Sequence, residues 1–207
     1  MSAYARDPIL TPVTIASLRP TQISVGMEEV KEKRKRLRER GPRKIGNFLG
    51  DHMIPVILGP KERHYVIDHH HLALSLHKEG VEKVLVTIVA DLSELAIDDF
   101  WLVLDHHSWV HPYDENGRRR DFSKIPKSID QLKDDPFRSL AGEVRRAGGF
   151  AKETTPFSEF LWADFFRRRM DRKTVEKHFR TAIKEAMKLA KTLEARYLPG
   201  WSGPVDS

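Results

Sequence analysis

Residues 54–90 place the tightest limit on what this chain can become. Ile54-Pro55-Val56-Ile57-Leu58 is a short apolar run that ends at the turn pair Gly59-Pro60. His64-Tyr65-Val66-Ile67 is a second run, expected antiparallel to the first across that turn. The period then changes. Leu72, Ala73, Leu76 and Val81 fit a helix that stops at Gly80, a residue type suited to the left-handed position after a helix. Residues 83–90 carry Val84, Val86, Thr87, Ile88 and Val89, the composition of a buried strand. The succession predicts a compact mixed α/β unit around these three strands.

The flanking segments divide into two differently built parts. Pro12-Val13-Thr14-Ile15 is β-prone and is broken by Arg19-Pro20. Residues 27–40 contain no Pro or Gly and read as a helix that Gly41-Pro42 stops. Ser93 can cap a helix bearing Leu95, Phe100, Leu102, Val103 and Leu104. After residue 112 strand signals almost vanish. A loop with Asn116-Gly117 and Arg118-Arg119-Arg120 leads to helices near 128–146, 158–169 and 172–197. In the last, Val175, Phe179, Ala182, Ile183, Ala186, Leu189, Ala190 and Leu193 form one core stripe, and Asp171 is its expected N-cap. Trp201 is expected to dock the tail unless that tail frays. The domain expectation is an α/β unit over residues 1–115 and an all-helical extension over 116–207, packed on it.

Composition removes several chemistries. The 207 residues include no cysteine, which excludes disulfides, thiolate zinc sites and cysteine nucleophiles. No apolar run approaches the roughly 20 residues of a spanning helix, and the first residues lack a secretory pattern. A cytoplasmic location and no membrane partner are the expectations; oligomeric state is left open. The net charge is +6, and residues 28–44 alone hold nine basic residues against Glu28, Glu29, Glu32 and Glu39. The rest of the chain sums close to neutral. Such a segment suits a nucleic-acid or nucleotide phosphate partner, or is a solvated helix face with Glu/Lys pairs at helical spacing.

Two histidine clusters can carry chemistry. Asp68-His69-His70-His71 lies directly after a strand and directly before a helix. A helix start presents free N–H groups and a positive dipole end to an anion. A carboxylate there can hold a divalent cation, and imidazoles can bind metal, donate to phosphate or move protons near neutral pH. Adjacent helical residues point about 100° apart, so three consecutive histidines cannot all ligate one ion. The plainer reading makes Asp68 an N-cap and the histidines surface residues. The second cluster is Asp105-His106-His107 with His111-Pro112. His107 and His111 are four apart, as in a helical metal pair, or else the cluster closes a helix end where cations are favoured. No Gly-rich phosphate loop, dinucleotide fingerprint or nucleophile elbow is present.

The run Tyr65-Val66-Ile67-Asp68-His69-His70-His71-Leu72-Ala73, with the following helix and strand, resembles the ParB/sulfiredoxin fold. Within that superfamily the chain is similar to the ParB-like nucleases. The resemblance is carried by Leu18-Arg19-Pro20-Thr21-Gln22, Val25-Gly26, Val30, Lys33, the 68–71 box, Asp135-Pro136-Phe137-Arg138-Ser139-Leu140 and Pro156-Phe157-Ser158-Glu159-Phe160-Leu161-Trp162-Ala163. It implies a small mixed-sheet α/β (α+β) domain with a C-terminal helical extension. It places Asp68, His70 and His71 at a catalytic or phosphate-binding box, approached by Gln22 and Lys33. The box departs from the superfamily pattern twice: His69 stands where a glycine is usual, and Leu72 where an arginine is. Sulfiredoxin activity is excluded by the missing cysteine.

Three functions follow from this resemblance. The first is a metal-dependent nuclease or phosphodiesterase. Asp68 and a histidine, with His107 and His111 as further metal candidates, would hold Mg²⁺ or Mn²⁺, and His71 would act as base or acid. In this reading Lys33, Arg34 and His69 contact the nucleic-acid backbone. The second is a nucleotide-dependent kinase of a small molecule such as a free amino acid, with Glu29 or Asp68 deprotonating the acceptor. The third is a nucleic-acid-binding module without catalysis.

Overall fold

A computed structural model of the chain describes residues 11–51 and 53–204, and the side chains of these apart from 11 and 40–51. Its elements are β1 (Thr11–Thr14), β2 (Arg19–Pro20), β3 (Ser24–Val25), α1 (Met27–Asp51), β4 (Ile54–Gly59), β5 (Arg63–Val66), α2 (His70–Lys78), β6 (Lys83–Asp91), α3 (Ile97–His106), β7 (Lys133–Asp134), α4 (Pro136–Arg146), α5 (Ser158–Arg167), α6 (Arg172–Lys177) and α7 (Phe179–Ala190). The fold is α/β. The chain divides into two compact units. One comprises the residues up to Ser24, Val30–Asp114 and Arg118–Lys133; the other comprises Val25–Glu29, Glu115–Gly117 and the chain from Asp134 onward.

The first unit is built on a mixed five-stranded sheet of order β1-β6-β4-β5-β2. The apolar runs of β4 and β5 form the expected antiparallel hairpin, with Val56 opposite Val66. Chain reversal through α2 then lets β6 lie parallel to β4. Ile54, Val56 and Ile57 of β4 are fully buried. Ile57 joins Ile23, Tyr65, Phe100, Leu104, Val110 and Ile125 in one apolar cluster. Strand β6 is only half-buried: Val84 and Val86 point inward while Val89 is 41% exposed. Continuous β-branching reads as two-sided burial, but only its first half is covered.

Helix α2 is buried from His70 to Leu76, and Gly80 follows it at φ +75, as expected of a residue that ends a helix. Helix α1 lies beside it. Ser75 Oγ sits 2.6 Å from the His71 carbonyl and 3.2 Å from the Val30 carbonyl. Helix α1 starts at Met27 as expected but does not stop at Gly41-Pro42; its backbone stays helical to Asp51. Proline removes one helical hydrogen bond without forbidding a helical turn on either side. Ser93 does not cap α3. Its N–H and hydroxyl both bond the Asp91 carboxylate, and the helix begins four residues later behind Ala96.

The second unit is helical. Phe137, Leu140 and Val144 of α4, Trp162, Phe165 and Phe166 of α5, and Val175, Ala182, Ala186 and Ala190 of α6 and α7 share one core. Phe150 stacks on Trp162 at 4.1 Å between ring centroids. The sequence reads one helix over 172–197, but His178 breaks it into α6 and α7, and Leu193 is 62% exposed rather than core. Asp171 does cap α6 through the Thr174 N–H, 2.9 Å away. The tail is docked: Trp201 Nε1 donates to the Thr192 carbonyl and Trp162 Nε1 to the Pro199 carbonyl.

Asp135 anchors this unit. It caps α4 by accepting the Phe137 and Arg138 N–H groups, and its other oxygen meets Arg167 at 2.5 Å. Gly26 packs against the same helix start. A Cβ there would lie 2.8 Å from the Ser139 nitrogen and 2.9 Å from its Cα. Backbone cannot yield as a side chain does, so Gly26→Ala is expected to cost about 1–3 kcal/mol. Thermal or denaturant unfolding of the variant checks this; an unchanged midpoint contradicts the close packing.

Candidate functional site

The 68–71 box sits where the sheet hands the chain to α2. Strand β5 ends at Val66, and the Ile67 N–H still bonds the Pro55 carbonyl. Asp68 then turns the chain by accepting the His69 N–H at 2.6 Å. His69 adopts φ +66, ψ +23 and precedes the first turn of α2. That left-handed conformation is one a glycine adopts without strain. The backbone therefore keeps the glycine-type course even though the residue is histidine, and the substitution adds an imidazole at the mouth of the helix. No side chain caps α2. Its first intrahelical bond is Ala73 N–H to His69 carbonyl, which leaves the amides of His70, His71 and Leu72 ahead of the ladder.

His70 is 4% exposed and occupied by structure. The Thr21 N–H donates to its Nε2 at 3.1 Å, and the Thr21 hydroxyl donates to the Val66 carbonyl at 2.7 Å. A ring nitrogen that accepts a hydrogen bond carries a lone pair, so the neutral ring holds its proton on Nδ1. Burial pushes the His70 pKa down to about 3. His71, His69 and His111 push the same way, against a hydrogen bond with the Val66 backbone. In this structure His70 is part of the packing that holds the helix start. A ring that spends its lone pair on a buried backbone amide acts as a fastener between the two segments.

Thr21 stands inside the Leu18-Arg19-Pro20-Thr21-Gln22 motif, and no local sequence signal marks its role. Besides its two bonds to the box region, its carbonyl accepts the His111 N–H at 2.8 Å. Gln22 is 5% exposed and forms a parallel bridge with His111. Through Thr21, the 68–71 box, Gln22 and one member of the second histidine cluster come together.

The other member does not join it in the way the spacing implies. Helix α3 ends at His106, His107 is its C-cap, and Ser108 turns to φ +55. The four-residue interval between His107 and His111 therefore spans a helix exit, not one helix face. His107 stacks on Trp109 and His111 on Tyr113. Asp68 is an exposed carboxylate 3.9 Å from His69 Nε2. Among the described residues no group of three or more His, Asp or Glu side chains is placed to hold a metal ion.

The basic segment is largely turned on itself. Arg34 Nε meets Glu79 at 2.6 Å and Arg38 meets the same carboxylate at 2.7 Å, holding Glu79 below its ordinary range. Arg36 pairs with Glu32, and Lys35 lies 3.9 Å from Glu39, both at helical i,i+4 spacing. Lys33 also has a partner. Arg34 is thus tied through Nε to the end of α2. The side chains of Arg40, Arg43 and Lys44 lie outside the described residues. In the second unit, motif residues converge on Arg138. Its guanidinium lies 3.5 Å from Glu29 and 3.9 Å from Glu159 and covers the Phe160 ring at 5.3 Å. Sequence reasoning saw these motifs but not that their charges meet.

His70 generates a pH dependence. The native ring stays neutral down to about pH 3, whereas the ring of an unfolded chain takes a proton near 6.5. Its contribution to stability is complete above pH 6.5 and falls as pH drops toward 3, by up to about 1.4 kcal/mol per pH unit. Urea unfolding between pH 7 and 4 checks this: His70→Gln is expected to be less stable at pH 7 but to lose one proton from the slope. Equal slopes in both proteins contradict it.

Residues 11–168 match the family described as "Putative ParB-like nuclease". The chain is 56% identical to protein Atu1540 from Agrobacterium tumefaciens, known from a crystal structure. The match covers 97% of this chain and 100% of that one, with a TM-score of 0.90. No functionally curated protein matches. With both the box and the helical motifs inside the matched span, the chain belongs to the ParB-like nuclease family.

Proposed function

We propose that the 68–71 box binds a phosphate group of nucleic acid and that the protein is a phosphodiesterase acting on it. The observation that carries this reading is the start of α2. It is entered through a left-handed His69, has no side-chain cap, and begins its helical ladder only at the Ala73 N–H. Amides and helix dipole together favour an anion there. Membership of the ParB-like nuclease family favours nucleic acid as the substrate class.

The roles divide by environment. His70 and Thr21 hold the helix start in place. His69, left-handed and exposed beside Asp68, donates to phosphate. Asp68 and His71 are the groups left for proton transfer: one takes the proton of the attacking water as the new P–O bond forms, and the other protonates the departing oxygen. Gln22 lines the same region through its neighbour Thr21. A Mg²⁺ or Mn²⁺ ion held by protein donors alone does not fit the described set, since Asp68 is a single carboxylate and the histidines of the second cluster stack elsewhere.

The test is cleavage of single- and double-stranded DNA by wild type, Asp68→Ala and His71→Ala, with Mg²⁺, Mn²⁺ or chelator, beside an ATP turnover control. Wild-type cleavage reduced roughly 10²-fold or more in both variants is expected, the usual contribution of a general acid or base. ATP turnover without DNA cleavage would replace this reading by a nucleotide-dependent phosphotransferase at the same helix start. Cleavage that persists in both variants would remove the box from the reaction.

A further inference from the structure

The cations that stand open are not those of α1. Residues 172–191 hold seven basic residues against Glu176 and Glu185. Glu176 is taken by Arg172 at 2.7 Å. Lys177, Arg180, Lys184 and Lys188 are all exposed, and none makes an ion pair with a described residue. Arg180, Lys184 and Lys188 follow one another at i, i+4 and i+8 along α7, a step of about 6 Å on one face. The opposite face holds Ala182, Ala186 and Ala190, each fully buried in the core of the second unit.

We propose that this outward face of α7 is a docking track for the phosphate backbone of nucleic acid, distinct from the box. Like charges placed at i,i+4 repel one another, so the row costs stability when nothing covers it. A polyanion relieves that repulsion and releases its own counterions. The Ala face is locked in the core, so α7 has no apolar side to insert into a lipid surface. That favours nucleic acid over a membrane as the polyanion. The inference rests on the nucleic-acid reading above but not on catalysis.

Binding of a labelled oligonucleotide of about 20 residues, in chelator and over roughly 50–300 mM salt, tests it. Three proteins are compared: wild type, Arg180→Gln/Lys184→Gln/Lys188→Gln, and Lys35→Gln/Arg36→Gln on α1. Their melting points confirm folding. The α7 variant is expected to bind at least tenfold more weakly, with the slope of log K against log salt reduced by about 2 to 3. The α1 variant is expected to match wild type. An unchanged slope in the α7 variant overturns the proposal. So does loss confined to the α1 variant, or wild type that binds anionic phosphatidylglycerol vesicles and no oligonucleotide. Asp68→Ala separates the two readings: retained binding without cleavage supports both, while wild type that binds through α7 but cleaves nothing leaves the track standing and removes the phosphodiesterase.

Discussion

The Thr21–His70 hydrogen bond is the contact on which the geometry of the box depends. It is a buried polar pair, and each partner satisfies a group that would otherwise be stranded away from water. Thr21 also grips the last carbonyl of β5 with its hydroxyl and the His111 amide with its carbonyl. One residue thus joins the β2–β3 segment, the β5–α2 junction and the segment after α3. With His70 committed to this fastener, the helix start is held at a fixed place at the end of the sheet. The exposed pair Asp68 and His69 stands at that helix start.

Electrostatics sorts the two basic segments by what they already touch. On α1, carboxylates from Glu32, Glu39 and Glu79 meet the cations, and Arg34 with Arg38 ties that helix to the end of α2. On α7 the cations line one face with no such partners among the described residues. Pairing of this kind decides whether a basic run is part of the fold or open to a polyanion, and sequence density alone does not distinguish them.

Much of the first unit was legible because its signals are local. The β4–β5 hairpin follows from Gly59-Pro60 between two apolar runs, and the end of α2 from Gly80. The resemblance of the 68–71 box and its flanking motifs pointed to the right family. What was not legible depends on partners distant in sequence. Thr21 is one example, since nothing local shows that its amide meets a ring 49 positions away. The gathering of Glu29 and Glu159 around Arg138 is another. The His107–His111 pair failed because spacing implies a shared face only while the helix lasts, and α3 ends at His106, before either residue. The charge balance misled in a different way. A remainder that sums near neutral contains a segment as basic as the one first noticed, offset by acids elsewhere.

Amide chemical-shift mapping by NMR, with the dinucleotide thymidylyl-thymidine as ligand, tests the account at its centre. This ligand carries one phosphodiester, so it reports on a single phosphate site rather than on polyanion attraction. The account predicts that the His70, His71 and Leu72 amides shift together and saturably, ahead of all others. Saturable shifts elsewhere in the chain, with those three amides unmoved, would contradict it.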